Sequence, residues 1–333
     1  MSEIVWLPRE RRGLEAIGST ALSDAKVDTT CLRRINTGRL TQTSVDETLI
    51  FGAITYLANS FIALHEKAPR TAALFASQQR WFLCHAALAQ HFGKAFEGSA
   101  GLTRRSLGKL AVHHQIASRN TAFAFFDEIL KYGIIEQTDR RDIAVPSRET
   151  LALLKRWYEF HFRALDMMDS GQRCGWFLSR SEKLVAKLSP IVGKKLLEQT
   201  EVRSPGHYCA IFTEGDAGGL IMDRLAATAD WPGTPEQKHY LTEITAIAEL
   251  ARLTGLSRAH TSRKLAASER LGGTGWSGTR GRSRLWISRE FLIQYAETQL
   301  QKLTILNEAL EEVERSGEDG DTIKAESSKA RIA

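Results

Sequence analysis

Nine basic side chains fall between residues 252 and 289, namely Arg252, Arg258, Arg263, Lys264, Arg270, Arg280, Arg282, Arg284 and Arg289, and Glu269 is the only acid among them. Clustered Lys and Arg bind phosphates by displacing their counterions, and an arginine fork can take a guanine edge through two hydrogen bonds. The whole chain of 333 residues carries a formal net charge of only +6, so this excess is local. A weaker cluster lies at 103–148, where eight basic residues face five acids. Other chemistries lack their residues. His113 and His114 have no acidic or cysteine partner at ligand spacing, so no metal is expected. Cys31, Cys84, Cys174 and Cys209 stand far apart, which fits inert thiols in a reducing cytosol rather than a disulfide framework or a zinc site. No nucleophile, base and orienting acid come together in the sequence. Neither an enzyme nor a cofactor is expected.

An internal repeat supplies the elements that position these charges. Residues 107–133 and 247–273 align without a gap at an offset of 140, and Ser147-Arg148-Glu149 matches Ser288-Arg289-Glu290 at 141. Each copy reads as a short helix, a turn with one apolar residue (Ile116 or Leu256), and a second helix. Ser118 and Ser257 suit its N-cap, and Gly133 and Gly273 suit its end. Thr121 and Phe125, or Thr261 and Leu265, form the expected buried face. Two short strands follow around a charged tip, at 134–138 and 143–145 in the first copy and at 274–276 and 285–287 in the second. Helix, turn, helix and hairpin is the order of a winged helix-turn-helix. The expected fold is therefore mainly α with small β-hairpin wings, two tandem units being joined and flanked by long helices.

In such a unit the start of the second helix reads bases in the major groove. The outward positions there are Arg258, Ala259, His260, Ser262, Arg263 and Lys264 in the second copy. The glycine-rich run 272–284 can bring Arg280, Arg282 or Arg284 to the backbone or a minor groove. The first copy offers Arg119, Asn120, Ala122, Phe123 and Phe126, with Arg140 and Arg141 at its wing tip. Asp127 and Glu128 would repel phosphate there.

Leu256-Ser257-Arg258, followed by Thr261, Ser262, Arg263 and Leu265 and then a glycine and a basic wing, resembles the reading helix and wing of winged-helix regulators of the multiple-antibiotic-resistance (MarR) type. The resemblance spans roughly 75–168 and 207–313. It implies a repressor-like regulator that binds double-stranded DNA. The family has one unit per chain and works as a homodimer, so two units imply a built-in pseudodimer. It also implies a small aromatic effector, for which Trp176, Phe177, His207 and Tyr208 at the expected junction are the candidates.

Apolar stripes at helical spacing mark the flanking helices. They are Ile50, Ala53, Ile54, Leu57, Phe61 and Leu64, and then Leu151, Leu154, Tyr158, Phe162, Leu165 and Met168. A third runs Leu292, Ala296, Gln299, Leu303, Leu306, Leu310 and Val313 at alternating spacings of 4 and 3, a seam for an intrachain helix or for a second copy of the protein. The expected division is a flexible segment 1–45, a first unit 46–170, a connector with a helix 171–206, a second unit 207–313 and a disordered tail 314–333. The longest apolar run, at 49–64, is too short and too polar for a membrane span, and no secretory signal opens the chain, so a cytoplasmic protein is expected. Two other functions share the residues. One is a replication initiator with two winged helices. The other is a protein-interaction module using Phe123 and Phe126 of the first copy.

Overall fold

The structure is a computed structural model that describes residues 46–68, 77–93, 101–140, 142–203, 205–213, 218–231 and 236–329, the side chains of 200, 201 and 317–329 apart. The expected flexible segment 1–45 and Arg141 lie outside the described residues. The protein is mainly helical with small antiparallel sheets.

The first copy runs α1 (Glu47–Lys67), α2 (Gln78–Phe92), α3 (Arg104–His113), α4 (Arg119–Lys131), β1 (Ile135–Gln137), β2 (Ala144–Pro146) and α5 (Arg148–Asp169). Then come α6 (Arg173–Ser179), α7 (Ser181–Glu198), α8 (Thr200–Arg203) and α9 (His207–Thr213). The second copy continues with α10 (Gly219–Thr228), β3 (His239–Leu241), α11 (Ile247–Thr254), α12 (Arg258–Arg270), β4 (Thr274–Trp276), β5 (Leu285–Ser288) and α13 (Arg289–Lys329). Serine caps start the key helices as the sequence implies. Ser118 accepts from the Thr121 N–H at 3.1 Å and Ser257 from the His260 N–H at 3.1 Å.

The repeat extends further than the sequence match. α7, α10, α11, α12, hairpin and α13 follow the same order as α1, α2, α3, α4, hairpin and α5. Residues 171–206 are therefore not a connector. Leu184, Leu188, Val192 and Leu196 of α7 are all within 4% of full burial, so this helix is core. The packing is reciprocal. Each leading helix lies on the trailing helix of its own copy (α1 on α5, α7 on α13) and on the second helix of the other copy (α1 on α10, α7 on α2). The two copies thus share one core. α1 is long and apolar enough by length and composition to cross a membrane, and its apolar face packs on α5 and α10 within the chain.

The gapless alignment is corrected by one residue. Ile116 and Leu256 are equivalent, since each donates its N–H to the corresponding alanine carbonyl, Ala111 or Ala251. Ser118, however, is two residues beyond Ile116, whereas Ser257 is one beyond Leu256. Through the second helix the offset is thus 139, and the left-handed glycine that ends it is Gly133 in one copy and Gly272 in the other. Ala122, Phe125, Phe126 and Ile129 are the buried counterparts of Thr261, Lys264, Leu265 and Ser268. Thr121, expected in the core, is exposed.

A strand before α11 is absent from the sequence expectation. β3 pairs with β5, which also pairs with β4, giving the order β3-β5-β4, and Leu102 makes a one-residue version of the same bridge to Ala144 in the first copy. The seam on α13 is filled from within the chain. All seven of its positions are buried, against α5 and α7 among others, so it is not free for a second copy of the protein. Beyond Val313 the backbone stays helical to Lys329 rather than ending in the expected disordered tail.

Candidate nucleic-acid interface and an internal cavity

Burying one side of α12 against the rest of its copy leaves the other side to solvent. On that outer side Arg258, Ala259, Arg263 and Arg270 are exposed, and Ser262, Ala266 and Ala267 are half-buried. Arg258, Arg263 and Arg270 neither hydrogen-bond nor pair with any described residue, which leaves three guanidinium forks for a ligand. Between β4 and β5 the loop closes with a turn in which the Arg282 N–H donates to the Thr279 carbonyl at 3.0 Å. Arg282 is exposed at that tip and pairs with no described residue. Arg280 lies 3.6 Å from Glu269, an exposed pair that water screens, and Arg284 donates its Nε to the Thr242 carbonyl at 2.9 Å, anchoring the base of the loop.

Two expected contacts are corrected. Lys264 is 7% exposed, and its Nζ donates to the Ile211 carbonyl at 2.8 Å at the end of α9. Its stem fills the core position that Phe125 holds in the first copy, and its ammonium satisfies helix-terminal carbonyls. His260 is half-buried, and its Nε2 is shut off from solvent without a partner among the described residues. Neither side chain faces outward.

The first copy presents a different face. Arg119, Asn120 and Arg140 are exposed, as expected, and their side chains pair with no described residue. Asp127 and Glu128 stand where the second copy has Ala266 and Ala267. Arg104 holds Asp127 with two bonds of 2.8 and 2.7 Å, and Arg80 pairs with Glu128. Phe123 lies under the Arg104 guanidinium, 4.3 Å from it, and across Gly108, where a Cβ would come within 2.4 Å of the ring. Ala122 and Phe126 are 0% and 6% exposed, so they are core rather than outward residues. That removes the two-phenylalanine surface that the protein-interaction reading requires.

The four candidate effector residues do not form a site. Phe177 is fully buried against Tyr158 and Phe162, Trp176 lies under Arg180, and exposed His207 stacks on Tyr208, whose hydroxyl donates to the Leu271 carbonyl. None of them lines the half-open cavity between the two copies. That space has a volume of about 330 Å³ and is walled by α1, α2, α5, α10 and α13, with Val202 of α8 and Thr213 of α9. Its surface is mostly apolar and aromatic, with Phe61, Trp81, Leu88, Leu154 and Trp157 prominent.

A few polar groups interrupt it. Burial pushes His85 and His161 down to about 3, so both rings are neutral, and pushes Asp223 up to about 6. Tyr295 donates to Asp223 at 2.6 Å. Burial lowers Lys302 from its ordinary value, and its Nζ donates to Gln299 Oε1 at 3.3 Å and lies 5.4 Å from the Trp81 ring centre. Burial pushes the Cys84 and Cys209 thiols up to about 12 and also raises Cys174, so all three are poor nucleophiles. The sequence held one sign of the cavity, the polar Gln299 in an otherwise apolar seam.

Compared with known proteins, the chain matches no family model, no curated protein and no solved structure.

Proposed function

We propose that the protein is a cytoplasmic, sequence-specific regulator of transcription that binds double-stranded DNA through two winged helix-turn-helix units written in one chain, as its resemblance to MarR-type regulators implies. The observation that carries this reading is the row of unpaired arginines on the outer face of α12, Arg258, Arg263 and Arg270, next to a glycine-rich loop that ends in Arg282. An α-helix fills a major groove, arginine forks read guanine there, and a basic hairpin follows the phosphates beside it. The strand order β3-β5-β4, with a helix pair between β3 and β4, supports the same architecture. α12 reads bases and its loop contacts the backbone or a minor groove. α4 carries fewer free cations and two acids, and adds backbone contacts through Arg119 and Arg140.

Selection of bound duplexes from a random pool, followed by footprinting, tests the proposal. The expected result is an enriched motif with a strongly protected half and a weaker one. Recovery of no motif would contradict it.

A further inference from the structure

The second wing is tied to the first copy through a joint that the first wing lacks. Arg289 opens α13 directly after β5, so it stands at the foot of the hairpin whose tip carries Arg282. Its backbone N–H donates to the Lys238 carbonyl at 2.9 Å, one residue before β3. Its guanidinium donates to Glu47 Oε1 at 2.9 Å and to the Tyr240 hydroxyl at 3.4 Å, and lies 5.8 Å from the centre of the Trp231 ring. Glu47 belongs to the first turn of α1, the leading helix of the other copy. The helix N-terminus favours its charge. The two side chains are 21% and 18% exposed, so salt and water screen the pair weakly. Trp231 completes the joint. It packs on Phe51 of α1 with ring centres 4.2 Å apart and on Tyr240 of β3 at 4.9 Å. α1 thereby holds β3 and the start of α13, and through them the sheet β3-β5-β4.

The equivalent place in the first copy differs. Arg148 corresponds to Arg289 at the offset of 141, and the reciprocal packing makes the start of α7 the counterpart of the start of α1. Arg148 and Glu182 are both exposed there, and neither pairs with a described residue. Where the second copy has β3, the first has only the one-residue bridge of Leu102.

We infer that Glu47 is a positioning residue for the second reading unit: with Arg289 and Trp231 it forms a strut between the copies that holds the second wing in a fixed place relative to α4, so that the chain accepts two half-sites at one separation only. This rests on the DNA-binding reading proposed above. The shared core sets the distance between the two units, and the strut stops the wing from swinging on that core. Spacing then matters because each added base pair turns the second half-site by about 35° around the duplex.

Two measurements on the full chain test the strut and its consequence apart. Hydrogen exchange without DNA compares the unaltered chain with Glu47→Gln. Amides of 239–242 and 285–289 should exchange about tenfold faster in the variant, while those of 135–137 and 144–146 stay the same. Competition binding then uses the selected site and versions with one base pair inserted or removed between its halves. The unaltered chain should lose at least tenfold in affinity on either change. Glu47→Gln should bind the original site severalfold more weakly yet lose far less on insertion, and Glu47→Asp, which keeps the charge, should recover much of both properties. A purely structural role would lower the melting temperature and leave the spacing penalty as it was. Thermal unfolding reports whether the variants fold, and the spacing penalty of the unaltered chain does not depend on them. Unchanged exchange in folded Glu47→Gln would overturn the strut. Equal binding of the unaltered chain at all spacings would overturn its positioning role. Faster exchange in a chain that selects no DNA motif would uphold the strut and overturn the reading it serves.

Discussion

The second helices of the two copies have the same length and the same serine cap, yet they present opposite surfaces. At equivalent positions α12 carries Ser262, Arg263, Ala266 and Ala267 where α4 carries Phe123, Ala124, Asp127 and Glu128. Their buried faces invert as well. α4 buries two phenylalanines and an isoleucine, whereas α12 buries a threonine, a lysine and a serine next to one leucine. One copy has placed its apolar residues inside and neutralised its acids with Arg80 and Arg104. The other has kept its outer face small and cationic and met the polar groups of Thr261 and Lys264 with backbone carbonyls. A duplicated unit can thus divide its roles, one copy holding the shared core and the other reaching outward.

Six substitutions would break or sharpen this contrast. The largest effect is expected from Phe126→Ala, which opens a cavity in the first copy. It should cost about 3–5 kcal/mol in denaturant unfolding, against much less for Phe123→Ala at the surface. Near-equal values would mean that Phe126 is not core. Lys264→Met comes next. It keeps the stem but strips the end of α9 of its donor, and about 1–3 kcal/mol of stability should be lost while the salt dependence of DNA binding stays the same. A change in the salt slope with no loss of stability would return Lys264 to the interface.

Asp223→Asn probes the charged half of the cavity. Burial raises the folded-state pKa of this acid to about 6 from an ordinary value near 3.8, so the folded chain binds its proton more tightly than the unfolded chain. Stability therefore falls as pH rises between these values. The neutral amide should be more stable than the parent by about 3 kcal/mol above about pH 7 and indistinguishable below about pH 4. His85 and His161 act in the opposite sense, losing stability as pH falls below the usual histidine range, and they cancel in this comparison.

The smallest effect concerns the turn. Gly255 has φ +70°, while Gln115 at the equivalent place has φ +54°, a region that side chains resist. Gln115→Gly should stabilise, and Gly255→Ala destabilise, each by roughly 1 kcal/mol or less as read by thermal unfolding.

The sequence shows the helix pairs, their serine caps and the hairpins, because these are set by local signals: N-cap chemistry, turn glycines and hydrophobic spacing. It misaligns α4 with α12, because a one-residue longer turn preserves the overall spacing while rotating every residue of the helix by about 100°. That rotation is why Ala122 and Phe126 read as outward and Thr121 as buried. Lys264 and His260 mislead for another reason. Polar residues near a helix start read as surface until the partner element is known, and α9, which receives Lys264, has no marker in the sequence. The cavity is built by seven helices from both copies, so no local pattern announces it, and Gln299 alone breaks its stripe. Trp176, Phe177, His207 and Tyr208 stand out by aromatic content, and burial and stacking account for them.

The central claim is that α12 reads bases through Arg263 while the loop after it holds phosphate through Arg282. Competition binding of Arg263→Ala and Arg282→Ala to the selected site and to its single-base variants tests it most directly. Arg263→Ala should lose about 1–3 kcal/mol of discrimination at one base pair only, and Arg282→Ala should weaken all sequences alike and lower the salt slope by about 1. Binding by both variants that matches the unaltered chain in specificity and in salt dependence would contradict the account.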